Sequence, residues 1–190
     1  MSLEIAHMNA ARPKAERIPE GSYPSRLVSV VDLGIQPQTD WQTGEATESK
    51  ARVLITWELP TETLEHVDDD GNSTFKPRRI SKEYTLSNFE RSNLMQLIKA
   101  LSAGGESFSS LDEMLGAACM VNIGSTVNGN AKITGVMKAP KGLPVDDPSD
   151  TPVTFDYDNP SEAVYRSLVG WIQEKILDAE NYTGFADEWS

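Results

Sequence analysis

Between Lys50 and Asn88 apolar and polar residues alternate, the period of a strand with one face in a core and the other in water. Ala51, Val53, Ile55, Trp57 and Leu59 fall on one side, with Arg52, Leu54, Thr56 and Glu58 on the other, until Pro60 ends the run. Farther on, Ile80, Lys82, Tyr84 and Leu86 share a face opposite Arg79, Ser81, Glu83 and Thr85. This predicts a strand over about Phe75–Leu86, with Pro77 marking an edge or a bulge at its start. The intervening Asp68-Asp69-Asp70-Gly71-Asn72 is a hairpin turn signal. It is not a calcium loop, because the glycine is misplaced for an EF-hand and no glutamate closes it. An earlier strand over Ser22–Gly34 carries Tyr23, Leu27, Val28, Val30, Val31 and Leu33. Two later ones, Ala117–Thr126 and Ala131–Lys138, flank Asn128-Gly129, a strong hairpin signal.

The period lengthens after Ser87 or Asn88, either of which can cap a helix. Phe89, Leu94, Leu97, Ile98 and Leu101 predict that helix over 88–102, with Gly104-Gly105 as its stop. Ser110–Leu115 opens on a capping box and reads as a short second helix. From Ser161 to about Asn181 the pattern predicts one amphipathic helix with Val164, Leu168, Trp171, Ile172 and Leu177 on its apolar side. Residues 1–21 read as an arm and 143–160 as an acidic Pro/Asp-rich linker or laid-down segment. The order strand, strand, strand, helix, strand, strand predicts a mainly β fold. It matches a five-stranded OB-type Greek-key barrel over 22–142, with a helix between its third and fourth strands. A C-terminal helix and acidic aromatic tip follow over 161–190.

Charge sharpens this picture. The net charge is -12, but residues 143–190 hold eleven acids against two bases, leaving eighteen acids and fifteen bases for 1–142. The objection that acidity raises to a nucleic-acid partner therefore applies mainly to the C-terminal quarter. No apolar run approaches the ~20 residues of a membrane-spanning helix. The N-terminus lacks the basic start and apolar core of a signal peptide. A single cysteine, Cys119, excludes an internal disulfide and a multi-thiolate metal site, and the chain fits a reducing cytoplasm.

OB barrels bind ligands across strands two and three and with the loops joining strands one to two and four to five. Single-strand binding without sequence preference needs cations for phosphates and aromatic platforms for bases. Lys50, Arg52, Lys76, Arg78, Arg79 and Lys82 supply charge on those strands, and Lys132 does so beside the Asn128-Gly129 turn. Trp41, Trp57, Phe75 and Tyr84 are the platform candidates. Trp57 and Tyr84 alternate with core residues and read first as core, whereas Trp41, in a polar loop, either caps the core edge or presents a stacking surface. Four bases within residues 76–82 of an acidic chain are the sharpest feature. Catalytic patterns are poor: His7 and His66 have no metal spacing, and no phosphate loop, Gly-x-Ser-x-Gly or Cys/His arrangement occurs. The sequence points to a non-enzymatic protein without cofactor or metal.

Residues 18–34 (Ile-Pro-Glu-Gly-Ser-Tyr-Pro-Ser-Arg-Leu-Val-Ser-Val-Val-Asp-Leu-Gly), 50–60 (Lys-Ala-Arg-Val-Leu-Ile-Thr-Trp-Glu-Leu-Pro), 80–87 (Ile-Ser-Lys-Glu-Tyr-Thr-Leu-Ser) and 115–123 (Leu-Gly-Ala-Ala-Cys-Met-Val-Asn-Ile) resemble a widespread group of bacteriophage proteins. That group is regarded as single-stranded DNA-binding proteins with an OB fold. The resemblance covers roughly 18–142. It implies a protein that coats single-stranded DNA during replication or recombination in the cytoplasm of a bacterial host. It also implies that an acidic, aromatic C-terminus docks replication or recombination proteins, here through Phe185, Asp187, Glu188 and Trp189. The tip departs from the pattern by being sparse in acids and ending Trp-Ser. Three roles stay open for helix 161–181: packing on the barrel, self-association, or carrying the tip. The rival reading is an acidic protein-interaction module whose C-terminal region mimics DNA for a host protein.

Overall fold

Every residue from Val53 to Glu58, and Leu59 after it, is buried, so the second strand has no solvent face along its middle. A strand covered on both sides needs two layers packed against it, and the computed structural model, which describes residues 16–103 and 107–189, supplies both. The strands are β1 (Gly21–Thr39), β2 (Ala46–Val67), β3 (Ser73–Thr85), β4 (Ala118–Ser125), β5 (Ala131–Lys138) and β6 (Val153–Phe155). The sheet order is β3-β2-β1-β4-β5, and each of these neighbouring pairs is antiparallel. β6 lies parallel to β1, with Val30 opposite Thr154. The fold is mainly β.

The sheet curls around a first core of Leu27, Val30, Val53, Ile55, Trp57, Leu59, Ile80, Tyr84, Cys119, Val121, Ile123 and Ile133. Helix α1 (Asn93–Leu101) adds Leu94, Leu97 and Leu101 to that core and packs against β3 and β5. Its cap is Ser92, whose Oγ accepts the Met95 N–H at 3.2 Å, rather than Ser87 or Asn88. The chain leaves β3 at Thr85 and turns through Phe89 and Ser92 first, so the helix starts a turn later than its apolar period suggests. The expected short helix is a single 3-10 turn over Asp112–Met114. Ile18, read as part of an arm, is buried in the first core. Arg12 and Lys14 of that arm, His7 and the Gly104-Gly105 stop lie outside the described residues.

The second layer is where the structure departs most from expectation. Of the two readings of residues 143–160, linker or laid-down segment, the structure has the second: β6 completes the sheet, and Phe155 is buried. The single helix expected over 161–181 is two helices, α2 (Glu162–Ser167) and α3 (Gly170–Leu177). Leu168 and Val169 between them are extended, with ψ of 148° and 150°. Leu168, Ile172 and Ile176 turn inward, joining Val31, Leu33, Leu54, Phe155, Tyr157, Ala179 and Phe185 in a second core on the outer face of β1 and β2. Trp171 and Leu177, assigned to the buried side by period alone, are exposed. The break redirects the inward face partway along, which a straight 3.6-residue period cannot represent.

Close approach fixes this layer. Gly34, at φ +71°, has Asn181 Oδ1 at 2.7 Å and the Ala179 and Tyr157 side chains at 2.9 Å from where a Cβ would sit. Both the positive φ and the space therefore require glycine. Alongside it the Ile35 N–H donates to Asn181 Oδ1 at 2.7 Å, and the Gln36 amide donates to the Lys175 carbonyl at 2.8 Å.

Candidate nucleic-acid interface

β3 and β5 are the two ends of the sheet order and come close without a ladder between them. Three grooves follow that seam and share lining residues. The first is lined by Arg17, Arg78, Arg79, Ser81, Ala131 and Trp171, among others. The second shares Ser81 and Ala131 with it and adds Lys82, Lys132 and Thr134. The third continues through Lys82, Thr134 and Val136 to α1. From Arg78 to Tyr84 along β3 the run is roughly 20 Å at strand spacing.

Five cations line this run, Arg17, Arg78, Arg79, Lys82 and Lys132, against the acids Glu16 and Glu83. The alternation of β3 explains their placement. Ile80 and Tyr84 are buried on the core face that Arg78 and Lys82 share, but on an edge strand the long stems of those two bases carry their charges out around the edge. Lys82 Nζ lies 5.3 Å from the Tyr84 ring centroid, which steadies it near the seam. The Arg78 and Arg17 guanidinium groups donate to the Glu16 and Gly129 carbonyls respectively. Carbonyl partners orient a guanidinium without neutralising it.

Arg79 sits on the opposite face of β3 and is held differently. Glu58, its cross-strand partner, is buried, and its Oε2 accepts from Arg79 Nε at 3.0 Å and Nη2 at 2.9 Å. The same carboxylate accepts the Ser149 N–H and hydroxyl, both at 2.7 Å. Arg79 Nη2 also meets Asp150 at 3.0 Å. Arg52 likewise serves the fold, donating to Thr85 at 2.6 Å and pairing with Glu83, whose other oxygen accepts from Lys175. Glu83 is thereby balanced by two cations of its own.

The other expected site residues are scattered. Lys76 and Phe75 are exposed on the β2–β3 hairpin arm, while Lys50 is exposed near the far end of β2. Lys76 pairs with Leu64, fourteen positions from Lys50, roughly 45 Å along an extended strand. Trp41 is 88 % exposed in the β1–β2 loop and lines none of the seam grooves. Tyr84 is buried, with its hydroxyl pKa raised by that burial, and Trp57 is fully buried, so neither offers a ring to a base. Cys119 is also inside, its thiol pushed up to about 12 by burial and therefore un-ionised at neutral pH.

The C-terminal tip is folded in rather than displayed. Phe185 is buried among Phe155, Tyr157, Tyr165 and Tyr182, with Tyr182 at 5.0 Å between centroids. Trp189 packs on Tyr165 at 5.5 Å and on Phe185 at 5.2 Å, and its carbonyl accepts from Arg166 at 3.0 Å. Asp187 and Glu188 are exposed beside them. The aromatic half of the expected docking motif is thus core, which its spread over residues 155–189 hid from local pattern reading.

Among the described residues no three His, Cys, Asp or Glu side chains gather as metal ligands, and no helix is long and apolar enough to cross a membrane. No family model, curated protein or solved structure gives a significant match to this chain.

Proposed function

We propose that the protein binds single-stranded DNA along the β3–β5 seam, without strong sequence preference, as a coat on single strands during bacteriophage replication or recombination. The observation that carries this reading is the run of Arg17, Arg78, Lys82 and Lys132 along one seam of a chain whose net charge is -12, Arg79 beside them being held by Glu58 and Asp150. An open groove with cations along it suits a flexible phosphate backbone better than a small enclosed ligand. Reading the sheet as an OB-type barrel is supported by the order β3-β2-β1-β4-β5 and by α1 falling between β3 and β4. The binding surface of that reading is shifted from the faces of strands two and three toward the seam, because the outer face of β2 lies under residues 143–189.

The test is fluorescence anisotropy of a labelled oligo-dT with the full chain over a salt series. Three or four phosphate contacts give a slope of log affinity against log salt of about -2 to -3, or roughly 15- to 60-fold weaker binding from 50 to 200 mM. Replacing Lys82 and Lys132 together by alanine reduces the slope by about 1.4. Absence of binding by the full chain at the lowest salt overturns the proposal.

A further inference from the structure

Trp171 is 48 % exposed although it lies between buried neighbours, Leu168 and Ile172. Its position follows from the break before α3. The extended Leu168 and Val169 place residue 171 in the first turn of a new helix, and Ile172, not Trp171, takes the inward direction. The break is itself well held: the Gln173 amide donates to both the Tyr165 and Leu168 carbonyls at 2.9 Å. Lys175, one turn on, ties α3 to Glu83 of β3. The indole therefore rests on a fixed support beside the seam, whereas Trp41 lies in the β1–β2 loop and lines none of the seam grooves.

What surrounds it is specific. Trp171, Arg79 and Ser81 line both the first seam groove and a second groove floored by Ser29, Thr56 and Val153. They form the ridge between the two. Arg17 and Arg78 stand on the seam side of that ridge. Arg79 on the ridge is held by Glu58 and by Asp150 of the same groove, so the half-exposed indole combines a flat π surface with two available guanidinium groups, Arg17 and Arg78, on its seam side, the pairing that a nucleotide of a single strand presents in complement.

We infer that Trp171 is a base-stacking platform, so that the C-terminal layer supplies part of the nucleic-acid surface and the strand runs from the seam over the ridge, with phosphates on Arg17 and Arg78. This rests on the single-strand-binding reading and adds to it a ligand class, a nucleobase, for a groove wall that lies outside the β3 and β5 strands.

The experiment measures oligo-dT binding over a salt series by the full-length wild type, Trp171→Ala, Trp171→Phe and Trp41→Ala, with urea midpoints recorded for each. Loss of one stacked base weakens Trp171→Ala by about 5- to 150-fold. Trp171→Phe keeps a platform and stays within about fivefold of wild type, and its salt slope is unchanged because no charge is removed. Trp41→Ala binds as wild type does. If the wild type binds but Trp171→Ala binds equally well, the inference is overturned and the single-strand reading stands. If Trp171→Phe loses as much as Trp171→Ala, the ring's π surface is not the determinant, and the inference fails in that way too. If the wild type does not bind, the underlying reading falls and the inference falls with it. An oligo-rU arm run in parallel distinguishes DNA from RNA as the source of the base.

Discussion

Single residues at the boundary between the two layers reveal how the sheet accommodates them. Asp32 faces the C-terminal side of β1, and its Oδ1 accepts the Gly34 N–H at 2.8 Å in the turn that lets Asn181 approach. Burial raises its pKa, the Gly34 N–H opposes that rise, and the nearby carboxylates Asp156 and Asp158 add to it. A carboxyl whose folded pKa lies above its unfolded value binds its proton more readily in the native state. Stability contributed by that difference is present at low pH and is lost as pH rises from the ordinary carboxylate value through the folded one. The asparagine variant can still accept the Gly34 N–H but does not ionise. In urea titrations at a series of pH values, wild-type stability relative to Asp32→Asn is expected to fall as pH rises through that window. A difference that stays flat, or grows with pH, would show that Asp32 is not desolvated as described.

At the scale of elements, the segment joining β5 to α2 is fastened by one buried carboxylate. Glu58 on β2 holds Arg79 of β3 and both the N–H and hydroxyl of Ser149, so it ties two strands and the crossing segment at one point. Removing it takes away a charged acceptor of four hydrogen bonds, while Arg79 keeps Asp150 and Ser149 can turn to water, a type of loss that costs about 1.5–3 kcal/mol. Glu58→Ala is expected to unfold at lower urea by that amount and to be cut by protease between residues 140 and 152 before global unfolding. Unaltered cleavage there would mean that β6 and Arg26, which donates to the Val145 and Asp146 carbonyls at 2.7 and 3.1 Å, are enough to hold the segment. Sequence pattern anticipated the strands of the first core well, because Val53, Ile55, Trp57, Ile80 and Tyr84 each repeat every second residue. It also found α1 from Leu94, Leu97 and Leu101. It missed β6, a strand of three residues and too short to show a period, and it missed the break at Leu168 and Val169, where Gly170, the first residue of α3, was the one local signal. The seam cations Arg78, Lys82 and Lys132 were visible as charge. Their convergence depends on β3 and β5 meeting, and no local pattern encodes that. Trp171 was misassigned by the same continuous helical period that the break interrupts.

For the whole molecule, charge and packing make opposite demands of residues 143–189. Electrostatics alone treats this region as a removable acidic tail: it carries eleven acids to two bases, and its loss would ease the approach of DNA. Packing treats it as half of the interior. Val31 and Leu33 are fully buried and Leu54 nearly so, all three under the C-terminal layer, and Phe155 is buried with them. Uncovering a side chain of this size costs about 1.5–3 kcal/mol, so the three sheet residues alone amount to roughly 5–9 kcal/mol, comparable with the entire stability of a typical domain. The layer also brings Trp171 to the ridge and Lys175 to Glu83. Packing outweighs charge by this arithmetic, since long-range repulsion among exposed acids is screened within about 8 Å at physiological salt. A chain ending at residue 142 is therefore expected to expose a continuous apolar face on β1 and β2, and to self-associate rather than bind DNA more tightly. Light scattering and sedimentation would report aggregates or oligomers, and the urea transition would lose cooperativity or shift far downward. A truncated chain that stayed monomeric with an unchanged midpoint would mean that the second core contributes nothing to the first. The acidic layer would then be an appendage of the sheet and not its other half.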